Sequence, residues 1–292
     1  MSEPSLKKKL GALRRRIQFP FKKRRILRKI AQLKKVAPHG EALARALSEV
    51  VERRVEPGER DRIARIEALR ADFPKLAPLP AGSLGPDSPT FDLASFGVKS
   101  SKPPIWDLLL FKLVRTLRPK VLLELGTCLG LSACYQSAAL ELNDEGRILT
   151  VEGYPAFAAI AKDNLRSAGM TRAEVRVGWH EEALPGLLKD MGLIDYIFLD
   201  GQHEDEPNWR LMQLLRPRLA PGAVVVVDDI RWSEDMERFW KRVCELPEVC
   251  ISIDMKQVGL LVFDKPGPKS EHCEIPLHWL EKYPGSPWCS KG

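Results

Sequence analysis

The chain has 292 residues, 44% hydrophobic and 29% charged, a globular composition that argues against a disordered chain. No run approaches the ~20 apolar residues of a membrane-spanning helix, and no apolar stretch follows the basic N-terminal residues, so neither an integral membrane protein nor a secretory signal is expected. Six cysteines without a C-x-x-C pair argue against a zinc ribbon, a thioredoxin-type motif and a disulfide scaffold, and favour reduced thiols in a cytoplasmic protein.

The net charge of +7 is unevenly spread. Residues 1–35 hold 14 Lys/Arg and one acid, Glu3, for +13, which leaves the rest at −6. A basic arm is attached to a mildly acidic body. In the arm, Leu6, Leu10, Leu13 and Ile17 recur at helical spacing, and so do Ile26, Ile30 and Leu33; Phe19-Pro20-Phe21 separates them, which predicts two short basic amphipathic helices. Leu43, Leu47, Val50 and Val51, then Ile63, Ile66, Leu69 and Phe73, continue the helical pattern, so residues 1–73 read as a basic helical extension. Residues 74–104 hold seven of the 23 prolines and three glycines, which suits a linker or a lid over a site.

From residue 105 to 264 helix and strand patterns alternate. Strands are predicted at Val121–Leu125, Arg147–Glu152, Ala173–Val177, Ile194–Asp200, Ala223–Val227, Cys250–Asp254 and Gly259–Asp264, with helices at Trp106–Leu117, Leu131–Leu140, Pro155–Ala168, Leu184–Met191, Pro207–Leu219 and Trp232–Leu246. This alternation implies an α/β fold with a mostly parallel, seven-stranded sheet covered on both faces. The last two strands are too close for a helical crossover and are expected to form an antiparallel edge hairpin. Residues 265–292 read as a Pro-rich tail on the surface.

In such a sheet, ligands bind beyond the carboxyl ends of the strands. Those ends read Glu124-Leu-Gly126-Thr127-x-x-Gly130-x-Ser132, Glu152, Gly178-Trp179-His180-Glu181, Asp200-Gly-Gln-His203 and Asp228-Asp229. Each carries an acid, which disfavours phosphates and favours a cationic or metal-bound ligand. The G-x-G-x-x-G of a dinucleotide site is missing. Glu152, 22 residues beyond Gly130, stands where an acid accepts ribose hydroxyl hydrogen bonds, a feature common to nicotinamide and S-adenosylmethionine sites.

On these residues, the stretch from about 97 to 264 resembles class I S-adenosylmethionine-dependent methyltransferases, of the catechol/caffeoyl-CoA O-methyltransferase-like group. Leu123-Glu-Leu-Gly-Thr-Cys-Leu-Gly-Leu-Ser132 is similar to its E-x-G-x-x-x-G-x-S loop, and Val177–Leu187 to the stretch whose start brackets adenine. Phe198-Leu-Asp200 and Val227-Asp-Asp229 resemble its two metal-ligand segments, the second usually Asp-Asn. The resemblance implies a Rossmann-like doubly wound fold. It further implies cofactor contacts from Glu124, Gly126, Thr127, Gly130, Ser132, Glu152, Gly178, Trp179, His180, Glu181 and Asp200, and Mg²⁺ or another divalent ion on Asp200, Asp228 and Asp229.

Three converging carboxylates would repel without a cation, whereas a hard divalent ion wants such oxygens. His203 stands where the metal-dependent members usually carry a lysine base; an imidazole, with a usual pKa near ~6.5, is a competent base at neutral pH, so His203 and Asp200 are the expected catalytic residues. His272, Cys273, His278 and Cys289 are too irregularly spaced for zinc.

The reading is an O-methyltransferase acting on a small or lipid-linked hydroxylated molecule. Two alternatives stay open: a nucleic-acid methyltransferase recruited by the basic arm, which lacks the Asn/Asp-Pro-Pro-aromatic motif of base-amino methyltransferases, and a non-catalytic, membrane-docked cofactor-binding module. Residues 1–35, with Phe19 and Phe21 at the boundary, suit an anionic membrane surface. The protein is then cytoplasmic and peripheral to the membrane.

Overall fold

A computed structural model describes residues 6–265 and 271–281, with side chains from Gln18 onward. The body is an eight-stranded sheet in the order β3-β2-β1-β4-β5-β7-β6-β8. β1 (Val121–Leu125), β2 (Arg147–Glu152), β3 (Ala173–Val177), β4 (Ile194–Leu199) and β5 (Leu219–Val227) pair in parallel. β7 (Gly259–Phe263) runs antiparallel between β5 and β6 (Val249–Asp254). The eighth strand corrects the seven-stranded expectation: β8 (Glu271–Glu274), in the stretch read as surface tail, adds in parallel to β6. Its residues are polar and mostly exposed. Backbone pairing to a free edge recruits it, so it carries no apolar signature.

The central strands are apolar because both faces of the sheet are covered there. Alternate residues part to opposite sides: Leu122, Tyr196, Phe198, Val224 and Val226 enter one core, and Leu123, Leu125, Ile197, Leu199, Val225 and Val227 the other. The first face carries α5 (Pro104–Leu117), α6 (Leu131–Asn143) and α7 (Pro155–Ser167); the second carries α8 (His180–Asp190), α9 (Asp205–Leu215) and α10 (Glu234–Cys244). Local signals set several helix starts. Pro104 and Pro155 stand at N1, and the Ser233 hydroxyl caps α10 by accepting from the Met236 N–H at 3.2 Å.

The N-terminal helices share the first core. α1 (Leu6–Leu33) runs unbroken through Pro20, where two helices were expected. A proline costs one backbone hydrogen bond and crowds the preceding turn, but Ile26, Ile30 and Leu33 beyond it are buried, and that packing holds the helix. α2 (Gly40–Glu52) and α3 (Pro57–Asp72) pack against α5 and α6. Charge ties them down as well. Fully buried Lys112 of α5 reaches Glu49 at 2.8 Å and Glu59 at 2.5 Å, and Arg70 of α3 reaches Asp107 of α5 at 2.5 Å. The stretch read as linker contains a further helix, α4 (Leu93–Ser100), capped by Asp92.

Candidate active site

Strand order reverses between β1 and β4, so a crevice opens above their carboxyl ends. Neighbouring strand ends are locked in register: the Asp200 N–H donates to the Leu125 carbonyl and the Asp228 N–H to the Leu199 carbonyl, each at 2.9 Å. Gly126 follows β1 at φ 101°, and a Cβ there would lie 2.6 Å from the Asp200 carbonyl oxygen, so only glycine fits. Gly130, at φ 85°, opens α6.

Beneath this loop, the Glu124 carboxylate is fully buried. It accepts from Gln136 Nε2 at 2.9 Å and from the Thr150 hydroxyl at 2.6 Å, and Thr150 in turn meets the Thr127 hydroxyl at 2.5 Å. Burial pushes its pKa up to about 7, against the hydrogen bonds from Thr150, Ser132 and Gln136 and the Lys102 charge. Glu124 therefore supports the loop from below. Gly126, Thr127, Gly130, Ser132 and Asp200 line the cleft itself.

Glu152, at the end of β2, accepts from the Tyr154 and Cys128 N–H groups at 2.9 and 2.8 Å, which ties β2 to the loop. Burial raises its pKa despite those bonds. Gly178, Trp179 and His180 stand on the next strand end. The Trp179 ring lies against Gly153 and edge-on to Tyr154, with centroids 5.1 Å apart, and is half exposed. His180 packs under Gly201, and burial lowers its pKa. Glu181 turns away to Arg210 at 2.9 Å.

The strand-end aspartates diverge. Asp228 is buried, whereas Asp229, at φ 54°, turns its side chain toward His203 and Gln257. His203 Nε2 lies 3.0 Å from Asp229 Oδ2, and the exposed Trp232 ring stands 6.1 Å from the imidazole. Asp200, His203 and Asp229 can each offer a ligand atom within 4.8 Å of the others, which among the described residues is the group that suits a metal ion. Asp228, expected beside Asp200 and Asp229 as a ligand, is hydrogen-bonded to Lys102.

Lys102 was not singled out by sequence. Its ammonium lies 2.7 Å from Asp200 Oδ2 and also bonds Asp228 Oδ2. Burial works against that charge, but Asp200 and Asp228 outweigh it and hold the lysine pKa well above its ordinary value. Burial and the Asp228 charge push Asp200 up, which is the repulsion Lys102 relieves. Asp107 also lines the cleft. A signal for it existed: Asp107 and Lys112 are the two charges inside the apolar run Ile105–Val114.

Residues 123–230 match the family model described as a methyltransferase domain. A catechol O-methyltransferase from Niastella koreensis is 35% identical over 121 residues, 40% of this chain and 52% of that protein. One from Mycobacterium tuberculosis is 34% identical over 119 residues, 40% of this chain and 51% of its own. The chain thus spans about half the length of the curated relatives it matches. The O-methyltransferase from Bacillus cereus solved in complex with SAH shares the fold, with a TM-score of 0.50 at 21% identity, covering 69% of this chain and 90% of that one.

Residues 123–230 thus match a methyltransferase domain, on a sheet whose order places the crevice at its switch point. The curated relatives that this stretch resembles are catechol O-methyltransferases.

Proposed function

We propose that the protein transfers a methyl group from S-adenosylmethionine to a hydroxyl of a small or lipid-linked molecule. The observation that carries this is the crevice at the β1/β4 switch point. Its wall is the glycine-built loop 126–130, its floor is Asp200, and Glu152 stands beside it on the next strand end. The acidic lining suits the sulfonium and ammonium of the donor, and Glu152 has lone pairs left for ribose hydroxyls.

Methyl transfer needs an in-line approach and a deprotonated oxygen. The acceptor lies at the rim, where Trp232 offers a flat surface beside His203. With Nε2–H donated to Asp229, the His203 Nδ1 is the proton acceptor, and Asp229 orients the ring. The C–S bond breaks as the O–C bond forms, leaving S-adenosylhomocysteine. The donor set Asp200, His203 and Asp229 fits a divalent ion, with two carboxylates and one imidazole. Such an ion supplies an alternative route to the same end, lowering the pKa of the acceptor hydroxyl.

S-adenosylhomocysteine is expected to bind in calorimetry and to raise the melting temperature by mass action, and Glu152→Ala to weaken it about tenfold, or ~1.4 kcal/mol, through lost hydrogen bonds to charge. Binding of NAD without S-adenosylhomocysteine would overturn the assignment.

We further propose peripheral contact of α1 with anionic membrane. Lys22, Arg24, Arg25 and Arg28 are exposed, and so is Phe21. Phe19 is not available for insertion, since its ring packs edge-on against Trp279 at 5.2 Å. Among the described residues no helix is long and apolar enough to cross a membrane. Reversing these four charges to Glu is expected to abolish co-sedimentation with phosphatidylserine vesicles, at roughly 1 kcal/mol per basic residue. Undiminished sedimentation removes the contact.

A further inference from the structure

Lys102 enters the site from a tethered backbone. Its carbonyl accepts from Arg70 Nη1 at 2.8 Å, while Arg70 Nη2 and Nε are held by Asp107 at 2.5 Å and Glu67 at 2.9 Å. Pro103 and Pro104 follow at once and stiffen the chain where α5 begins. The side chain then runs into the crevice with its ammonium 5.6 Å from the Phe198 ring centroid and ends between Asp200 and Asp228. Lys102 and Asp200 keep only 16% and 17% of their side-chain surface exposed, and Asp228 keeps 2%.

We propose that Lys102 is the resident cation of the Asp200–Asp228 pair, a positioning residue that competes with a divalent ion for Asp200 and keeps Asp228 out of the ion's ligand set. Two facts carry this. A divalent ion on Asp200 would sit beside the ammonium that already shares that carboxylate, and two cations so close, with little water between them, repel strongly. Asp228 Oδ1 is buried and has no hydrogen-bond partner among the described residues, so an acceptor oxygen stands ready for a cation once the lysine is gone. Asp200 is the contested ligand, while His203 and Asp229 lie outside the lysine's reach. Through Arg70, the N-terminal helices set where this internal charge sits.

The proposal deepens the methyl-transfer reading of the site, and the two can fail separately. Calorimetry with S-adenosylhomocysteine tests the reading, and a Mn²⁺ titration without cofactor tests the lysine. Free Mn²⁺ is followed by electron paramagnetic resonance on the full chain. Lys102→Met is expected to bind Mn²⁺ at least about tenfold more tightly than the wild type, since a competing charge is removed and a carboxylate is gained. Lys102→Arg, which keeps the charge, is expected to stay within about threefold of the wild type. Equal or weaker binding by Lys102→Met overturns the proposal, as does a lack of Mn²⁺ binding by all three proteins.

Should Lys102→Met not fold, Asp228→Asn decides. The amide preserves the shape and can still accept from Lys102, so Mn²⁺ affinity is expected to hold within about threefold. A loss of about tenfold or more would make Asp228 an ion ligand and would also overturn the proposal.

Discussion

In excess chelator, His203→Ala is expected to lower kcat about 10²-fold at neutral pH, the usual contribution of a positioned general base. The imidazole stands with Nε2 3.0 Å from Asp229 and can offer a ring nitrogen within 4.8 Å of the Asp200 carboxylate. The loss should shrink as pH rises, because an acceptor that is already ionised needs no base. S-adenosylhomocysteine affinity should be unchanged, since His203 does not line the cleft beneath the glycine loop. The measurement is a pH–rate profile with a panel of catechols, other vicinal diols and hydroxylated lipids. An unchanged rate and profile would return His203 to an ordering role in its loop. A wild type that is inactive in chelator would put the ion, rather than the base, at the centre of the proton transfer.

At pH 8, Glu124→Gln is expected to be more stable than the wild type by up to about 3 kcal/mol, which follows from a folded pKa of about 7 against 4.5 for the free carboxyl. The folded pKa lies above the unfolded one, so the native protein takes up a proton between them. The stability from that bound proton is fully present below about pH 4.5 and is lost as pH rises through about 7. A glutamine holds the equivalent of the protonated form at every pH: its oxygen accepts from Gln136 and its amide donates to Thr150, whose hydroxyl can turn to Thr127. Chemical denaturation of both proteins from pH 5 to 8 should show stability curves that converge at the acid end. Parallel curves would mean that burial does not hold Glu124 protonated, and that the hydrogen bonds around it suffice for the ionised form.

Much of the body is legible in the residues because a parallel sheet buried on both faces leaves a strong local mark. β1, β2 and β3 begin and end where the sequence predicts them, and the helices between them follow from period and caps. The glycines at 126 and 130 and the acids at 124, 152, 200 and 228 announce the crevice, since each closes a run or opens a helix. β8 left no such mark. Its polar residues are held at the edge of β6 by backbone pairing, with the Ser252 hydroxyl 2.6 Å from His272 Nδ1, and neither leaves a periodic pattern in the sequence.

The chain order of strands and the acidic strand ends were determined by sequence alone, because burial imposes periodicity and crevice chemistry sits at strand stops. The partners of those acids were decided by the tertiary structure. Asp228 and Asp229 are neighbours of the same type, yet one meets Lys102 and the other, at φ 54°, meets His203. Lys102 lies 126 residues from Asp228 in a stretch that reads as a proline-rich linker, and Arg70, which holds it, belongs to helices that read as an appendage. Charge pairing over such separations has no period along the chain. It is fixed when α3 and α5 pack together and bury Arg70, Asp107 and Lys102 where leaving any of them unpaired would cost several kcal/mol, on the order of ~3–5.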